Sequence, residues 1–203
     1  MDVKAHHDMT KQKILFVNAC IRKNSRTRFL AEQVIRQLNG TVVEVNPATA
    51  AEPITSEEFI INRTDATGRM DFADPAYAPA RQFAEADIIV VAAPYWDLSF
   101  PAILKAYFEQ VNVLGLTFEY TDDGLPRGLC KAKKLIYVTT AGGPIISDEY
   151  GYGYVKALAQ GFYGIADVRQ VKAEGLDMIG TDVKVILNKA LEGFKHETFD
   201  YLH

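Results

Sequence analysis

The chain has 203 residues, of which 48% are hydrophobic and 24% charged, and it carries a net charge of −4. That balance supports one α/β domain with a sizeable core, excludes general disorder, and, without any block of Lys or Arg, disfavours a broad nucleic-acid-binding face. The two cysteines, Cys20 and Cys130, form no CxxC pair, so no metal site is expected and free thiols suit a reducing, cytoplasmic setting; no apolar run reaches the ~18 residues that span a bilayer.

Residues 1–12 are polar, include His6-His7 and lack the apolar centre of a secretory signal, so they read as a flexible tail ahead of one domain over 13–203. Residues 13–18 (KILFVN) form a continuous apolar run, the pattern of a strand buried on both faces of a parallel sheet. Ser25 has N-cap chemistry, and Phe29, Leu30, Val34, Ile35 and Leu38 mark a helix that Asn39-Gly40 should end. Residues 41–45 (TVVEV) make a second strand.

Over 46–78 the chain loses periodicity, mixing Pro47, Pro53, Gly68 and Pro75 with Phe59, Ile60, Ile61, Met70 and Phe72. So long an irregular yet partly apolar stretch predicts a lid or substrate wall containing short helical turns. A helix over 80–86 leads into the third strand, 87–93 (DIIVVAA); Pro101 sits at a first-turn position of the next helix. Residues 116–129 read as an extended segment, a turn and a return, 134–139 as the fourth buried strand, 150–162 as a helix, 166–173 as the fifth strand and 181–194 as a closing helix. Strands alternating with helices in this way predict a parallel sheet of order 2-1-3-4-5 with helices on both faces.

In such a sheet the ligand lies beyond the carboxyl ends of the strands. Three loops qualify. The first ends in Ser25-Arg26-Thr27, where backbone N–H groups, two hydroxyls, a guanidinium and the helix dipole favour a phosphate; an ordinary cap beside a solvated arginine is the plain alternative. The second reads Pro94-Tyr95-Trp96-Asp97-Leu98-Ser99-Phe100, aromatics that suit a flat apolar ring or else cover the core. The third, Thr139-Thr140-Ala141-Gly142-Gly143-Pro144, has two glycines that let backbone N–H groups approach a ligand, or make a plain turn. No GxGxxG follows the first strand, and no GxxxxGK[ST], HExxH or GxSxG occurs, which disfavours a dinucleotide-binding domain of the Rossmann type.

The blocks APYWDLSFPAILKAYFEQV, GLTFEY, GLPRGL and KKLIYVTTAGG, followed by GFYGIADVRQVKAEG, occur in order over residues 92–175. With them the sequence resembles the FMN-dependent NADH:quinone oxidoreductase and azoreductase family of flavodoxin-like proteins. The resemblance implies a flavodoxin-like three-layer α/β sandwich, bound FMN, NADH or NADPH as donor, and a quinone, azo or nitroaromatic acceptor. It also implies a homodimer with the active site at its interface and alternating, ping-pong electron transfer. By position it places Ser25, Arg26 and Thr27 on the FMN phosphate with Cys20 beside them. Pro94, Tyr95, Trp96, Asp97 and Leu98 fall along the ring and ribityl chain, and Thr140, Ala141, Gly142 and Gly143 at the pyrimidine edge. Phe118 and Tyr120 become walls of the acceptor pocket, with Phe162 of a second copy a further candidate. The chain departs from the family pattern at Cys20, Asp97 and Ala141, where serine, asparagine and, in some members, arginine stand. A flavodoxin-type electron carrier and an NAD(P)H:flavin reductase are the alternatives.

Overall fold

The computed structural model describes residues 11–199; the expected tail with its His6-His7 pair lies outside the described residues, apart from its last two positions. In chain order the elements are β1 (Gln12–Asn18), α1 (Arg26–Ile35), β2 (Gly40–Val45), α2 (Pro47–Ala50), α3 (Glu57–Gly68), α4 (Ala78–Glu85), β3 (Ile88–Ala92) and α5 (Ala102–Val111), then β4 (Phe118–Tyr120), β5 (Pro126–Gly128), β6 (Lys134–Thr140), α6 (Tyr154–Gly161), β7 (Asp167–Ala173) and α7 (Val183–Phe199). The main sheet is parallel with order β2-β1-β3-β6-β7, which is the expected five-stranded topology once the β4–β5 hairpin is set aside.

The continuous apolar runs become strands because alternate side chains supply two separate cores. Leu15, Val17, Ile89, Val91, Leu135 and Tyr137 face one way and pack against Phe83, Leu104, Tyr107, Phe108 and Val155 of the α4, α5 and α6 layer and against Tyr163 just after α6. Ile14, Phe16, Ile88, Val90, Ile136 and Val138 face the other way, onto Leu30 and Val34 of α1 and Leu187 and Phe194 of α7. No helix among the described residues is long and apolar enough to cross a membrane.

Boundaries differ from the expectation where a nonlocal contact intervenes. Helix α1 stops at Ile35, and Gly40 opens β2 instead of ending the helix; a Cβ there would lie 2.4 Å from the Gln12 carbonyl oxygen, so close strand pairing requires glycine. The stretch over 46–78 contains more than short turns. Ser56 caps α3 by accepting from the Phe59 N–H at 3.2 Å, with Glu57 and Glu58 in the first turn, an N-terminal signal that outweighs the missing apolar stripe. The helix expected over 150–162 opens as a π-helical turn, Glu149–Gly153, before becoming α6.

Candidate functional site

At the carboxyl ends of β1, β3, β6 and β7 the loops meet around a cleft of about 240 Å³. Ser25, Arg26 and Thr27 line it from the start of α1, Pro94, Tyr95 and Trp96 from the β3–α5 loop, Thr140 and Gly142 from the end of β6, and Asp177 from the β7–α7 connection. Ile21, Arg22 and Asn24 complete the wall.

The start of α1 is held from three sides. Ser25 caps it, its hydroxyl accepting from the Arg28 N–H at 3.2 Å. The Thr27 and Thr140 hydroxyls are buried and share a 2.7 Å hydrogen bond, fastening α1 to β6. Arg28 reaches Glu32 at 2.9 Å and Glu44 at 3.1 Å, and Glu44 also accepts from the Asn18 amide at 2.8 Å, bracing the helix against β1 and β2. The Arg26 and Thr27 N–H groups have no hydrogen-bond partner among the described residues, as expected of the first helical positions. With the helix dipole they are anion-directed groups opening on the cleft.

The β3–α5 loop is pinned to β6 by the Tyr95 N–H donating to the Thr140 carbonyl at 3.0 Å. It then reverses in a two-residue turn: Trp96 and Ser99 exchange both backbone hydrogen bonds, at 3.1 and 2.8 Å, while Asp97 and Leu98 stand at φ 49° and 70°. Positive φ at both central positions is the geometry that matches hairpin twist, usually met with Asn-Gly; a leucine there is strained. The Ser99 hydroxyl donates to the Tyr150 carbonyl at 2.6 Å and ties the turn to the opening of α6. Trp96 is 39% exposed, and the Tyr95 hydroxyl is buried without a partner.

After β6, Ala141 is buried and its N–H donates to the Ala173 carbonyl at 2.9 Å. The carbonyls of Ala141, Gly142 and Gly143 accept from Leu176, Asp177 and Gly175, whereas the Gly142 and Gly143 N–H groups have no partner among the described residues. Cys20 is half-buried; desolvation pushes its thiol up, countered in part by Ser25 and Arg28, so the sulfur is held as a neutral thiol beside the cleft.

Of the residues singled out from the sequence, Ser25, Arg26, Thr27, Pro94, Tyr95, Trp96, Thr140 and Gly142 share the cleft, and Cys20, Asp97, Leu98, Ala141 and Gly143 lie in the same loops without lining it. Phe118, Tyr120 and Phe162 form their own cluster, with Phe118 edge-on to Tyr120 at 5.5 Å and to Phe162 at 5.0 Å. Phe118 opens on a different groove of about 650 Å³, between α3 and residues 112–118, which Ile54, Ile60, Met70 and Leu114 also line. Asp177 escaped the reading of the sequence. Its only signal is its place just beyond the fifth strand, at the same sheet end as the other loops.

A family model described as a flavodoxin-like fold matches residues 12–197. The chain belongs to this flavodoxin-like fold family. Among curated relatives of this flavodoxin-like chain, an "FMN-dependent NADH:quinone oxidoreductase" of Coprothermobacter proteolyticus is 34% identical over 193 residues, 89% of this chain and 94% of that one. An "FMN-dependent NADH:quinone oxidoreductase 2" of Clostridium acetobutylicum is 44% identical over 127 residues, 60% of this chain and 62% of the relative, so that match spans less than two thirds of the relative's length. Among solved structures, an azoreductase from Bacillus anthracis str. Sterne superposes with a TM-score of 0.73 at 30% identity, covering 90% of this chain and 96% of that one.

Proposed function

We propose that this chain is an FMN-dependent oxidoreductase that passes electrons in pairs from NADH or NADPH to a quinone or azo acceptor. One observation carries the reading: groups that want an anion, groups that want a planar amide edge and an aromatic wall converge on one cleft from separate strand ends. The residues fit the cofactor because the polar groups there await partners. The Arg26, Thr27 and Gly142 N–H groups that line the cleft make no hydrogen bond among the described residues, and neither does the Gly143 N–H in the same loop.

Bound FMN supplies the two-electron chemistry that joins nicotinamide to acceptor. The chain's own part is position and electrostatics. Ser25, Arg26 and Thr27 would hold the phosphate at the helix start, with Thr27 fixed by Thr140. Tyr95 and Trp96 would flank the ring and exclude water. The Gly142 and Gly143 N–H groups would meet the pyrimidine edge and favour negative charge there. A Cβ on Gly142 would lie 2.2 Å from an Asp177 carboxylate oxygen, so a side chain there would push that carboxylate aside.

The groove between α3 and residues 112–118 is read as the acceptor's outer wall, with residues 46–78 supplying one side of it. Tyr120, Leu125 and Leu129 are exposed on or beside the β4–β5 hairpin, a surface suited to a second copy of the chain, so the working enzyme is read as a homodimer. Free Cys20 and Cys130 suit a reducing, cytoplasmic setting; burial pushes the Cys130 thiol up to about 12.

The test is a titration of the purified protein with FMN, followed by NADH and NADPH oxidation against a quinone, an azo dye and a nitroaromatic. Saturable FMN uptake and turnover without a reductase partner are expected. Protein that takes up no FMN sinks the reading, and uptake without turnover leaves an electron carrier. Ile60→Ser should raise the acceptor KM while FMN affinity stays level.

A further inference from the structure

The joint between the start of α1 and the β7–α7 connection does more than close the fold. We propose that Asp177 is a positioning residue that presets the Arg26 guanidinium for the FMN phosphate, making the β7–α7 connection a fourth wall of the cradle; this rests on the FMN reading above.

Arg26 is the first residue of α1, beside two N–H groups without partners. Its Nη1 donates to the Leu176 carbonyl at 2.9 Å and its Nη2 to the Asp177 carboxylate at 2.7 Å. A guanidinium carries five N–H donors in one plane, so two bonds to a single connection fix the plane and leave the others for a ligand. An unheld arginine would lose rotamer freedom on gripping a phosphate; one held in advance has already lost it.

Asp177 is itself fixed. Its N–H donates to the Gly142 carbonyl at 2.8 Å, and its neighbours Leu176 and Gly175 donate to Ala141 and Gly143 at 3.2 and 2.9 Å. Three backbone bonds thus lace the β6 and β7 loops together. The space that a Gly142 side chain would take is held by the Asp177 carboxylate. The glycine therefore serves the carboxylate as well as the ligand.

Two opposed effects meet here. The carboxylate orients Arg26, but its charge repels a phosphate. The pair is part-exposed, 34% at Arg26 and 66% at Asp177, so solvent screening limits its worth to about 1 kcal/mol, about fivefold in affinity. Orientation is the term we assign as dominant, because the Asp177 oxygen lies 2.7 Å from Nη2 and the guanidinium it touches offsets most of its charge toward a phosphate, while the bond itself fixes the second nitrogen that the Leu176 carbonyl leaves free.

The experiment compares FMN and riboflavin, which lacks the phosphate, by flavin fluorescence quenching in wild type, Asp177→Ala and Asp177→Asn. Asp177→Ala should weaken FMN about three- to fivefold and leave riboflavin affinity unchanged. Asp177→Asn, which retains an oxygen for Nη2, should retain most of the FMN affinity. Unchanged or tighter FMN binding by Asp177→Ala overturns the positioning role, and an equal loss for riboflavin overturns it by showing general damage to the cleft. Both of those outcomes leave the FMN reading standing. Failure of the wild type to bind either flavin removes that reading and this proposal together.

Discussion

Thr27 and Thr140 illustrate how a single buried contact decides the shape of the cleft. Their hydroxyls are 2.7 Å apart and share one hydrogen bond. Thr27→Val leaves the Thr140 hydroxyl buried without a partner, which should cost about 1–3 kcal/mol in urea unfolding, whereas the double change to valine should cost less than the two singles together. Additive losses would show that the two hydroxyls are not coupled. Leu98 poses the opposite case, a residue retained against local preference. At φ 70° it is strained, so Leu98→Gly should raise stability by about 0.5–1 kcal/mol despite glycine's greater freedom in the unfolded chain. If the strain serves the ring site, the same change should weaken flavin binding while the melting temperature rises. Single residues of this kind were legible in the sequence only as types. Ser25 was readable as a cap because capping is local, but the partnership of Thr27 with Thr140 spans 113 positions and leaves no local trace.

The strand-end loops behave as elements that fasten one another. Asp148, ahead of α6, accepts from Gln170 at 2.7 Å and from Lys172 at 2.8 Å, two residues on one face of β7. Burial pushes the Asp148 carboxyl up, but the bonds from Lys172 and Gln170 outweigh it and hold the group below its ordinary value of 3.8. A depressed folded pKa means that the stabilisation is present above that value and drains as the pH falls through the lower folded one. Asp148→Asn should therefore unfold at lower urea than wild type at neutral pH, with the gap closing in strong acid. The pair is 39% exposed on each side, so less than about 1 kcal/mol is at stake. The β4–β5 hairpin is tied more tightly. A Cβ on Gly128 would lie 2.1 Å from the Gly164 nitrogen and 2.4 Å from the Tyr163 carbonyl oxygen, both backbone atoms that cannot swing aside. Gly128→Ala should displace the hairpin, open the Phe118–Phe162 contact and cost more than about 2 kcal/mol. An unchanged unfolding midpoint would mean that the hairpin is free to shift at no expense. The hairpin was readable as an extended segment, turn and return, but its docking on Gly164 was not, because close approach of two glycines has no periodicity to betray it.

For the whole molecule, what was legible and what was not divide along one physical line. The apolar runs at 13–18, 87–93 and 134–139 announced the parallel sheet because burial on both faces leaves no alternation, and the sheet order then pointed to the carboxyl ends of the strands, where the cleft lies. Residues placed by contacts from far along the chain stayed hidden. Asp177 meets Arg26 across 151 positions, and α3 buries none of its side chains, so the usual apolar stripe was missing. The cleft thus hangs on four strands, β1, β3, β6 and β7, and a ligand gripping all its walls should restrain the molecule well beyond the atoms it touches. FMN at 100 times its Kd should stabilise the fold by about 2.7 kcal/mol by mass action alone. Amide hydrogen exchange can then say where the restraint falls. With FMN, protection should rise in 25–27, 94–99, 140–143 and 174–180 together, because Arg26 and Asp177 join the last of these to the phosphate end. Riboflavin should protect 94–99 and 140–143, and with them the Gly175, Leu176 and Asp177 amides that donate to 141–143, but leave 25–27 nearly as in the free protein. Equal protection of 25–27 by both flavins would mean that the start of α1 answers to the ring and not to the phosphate.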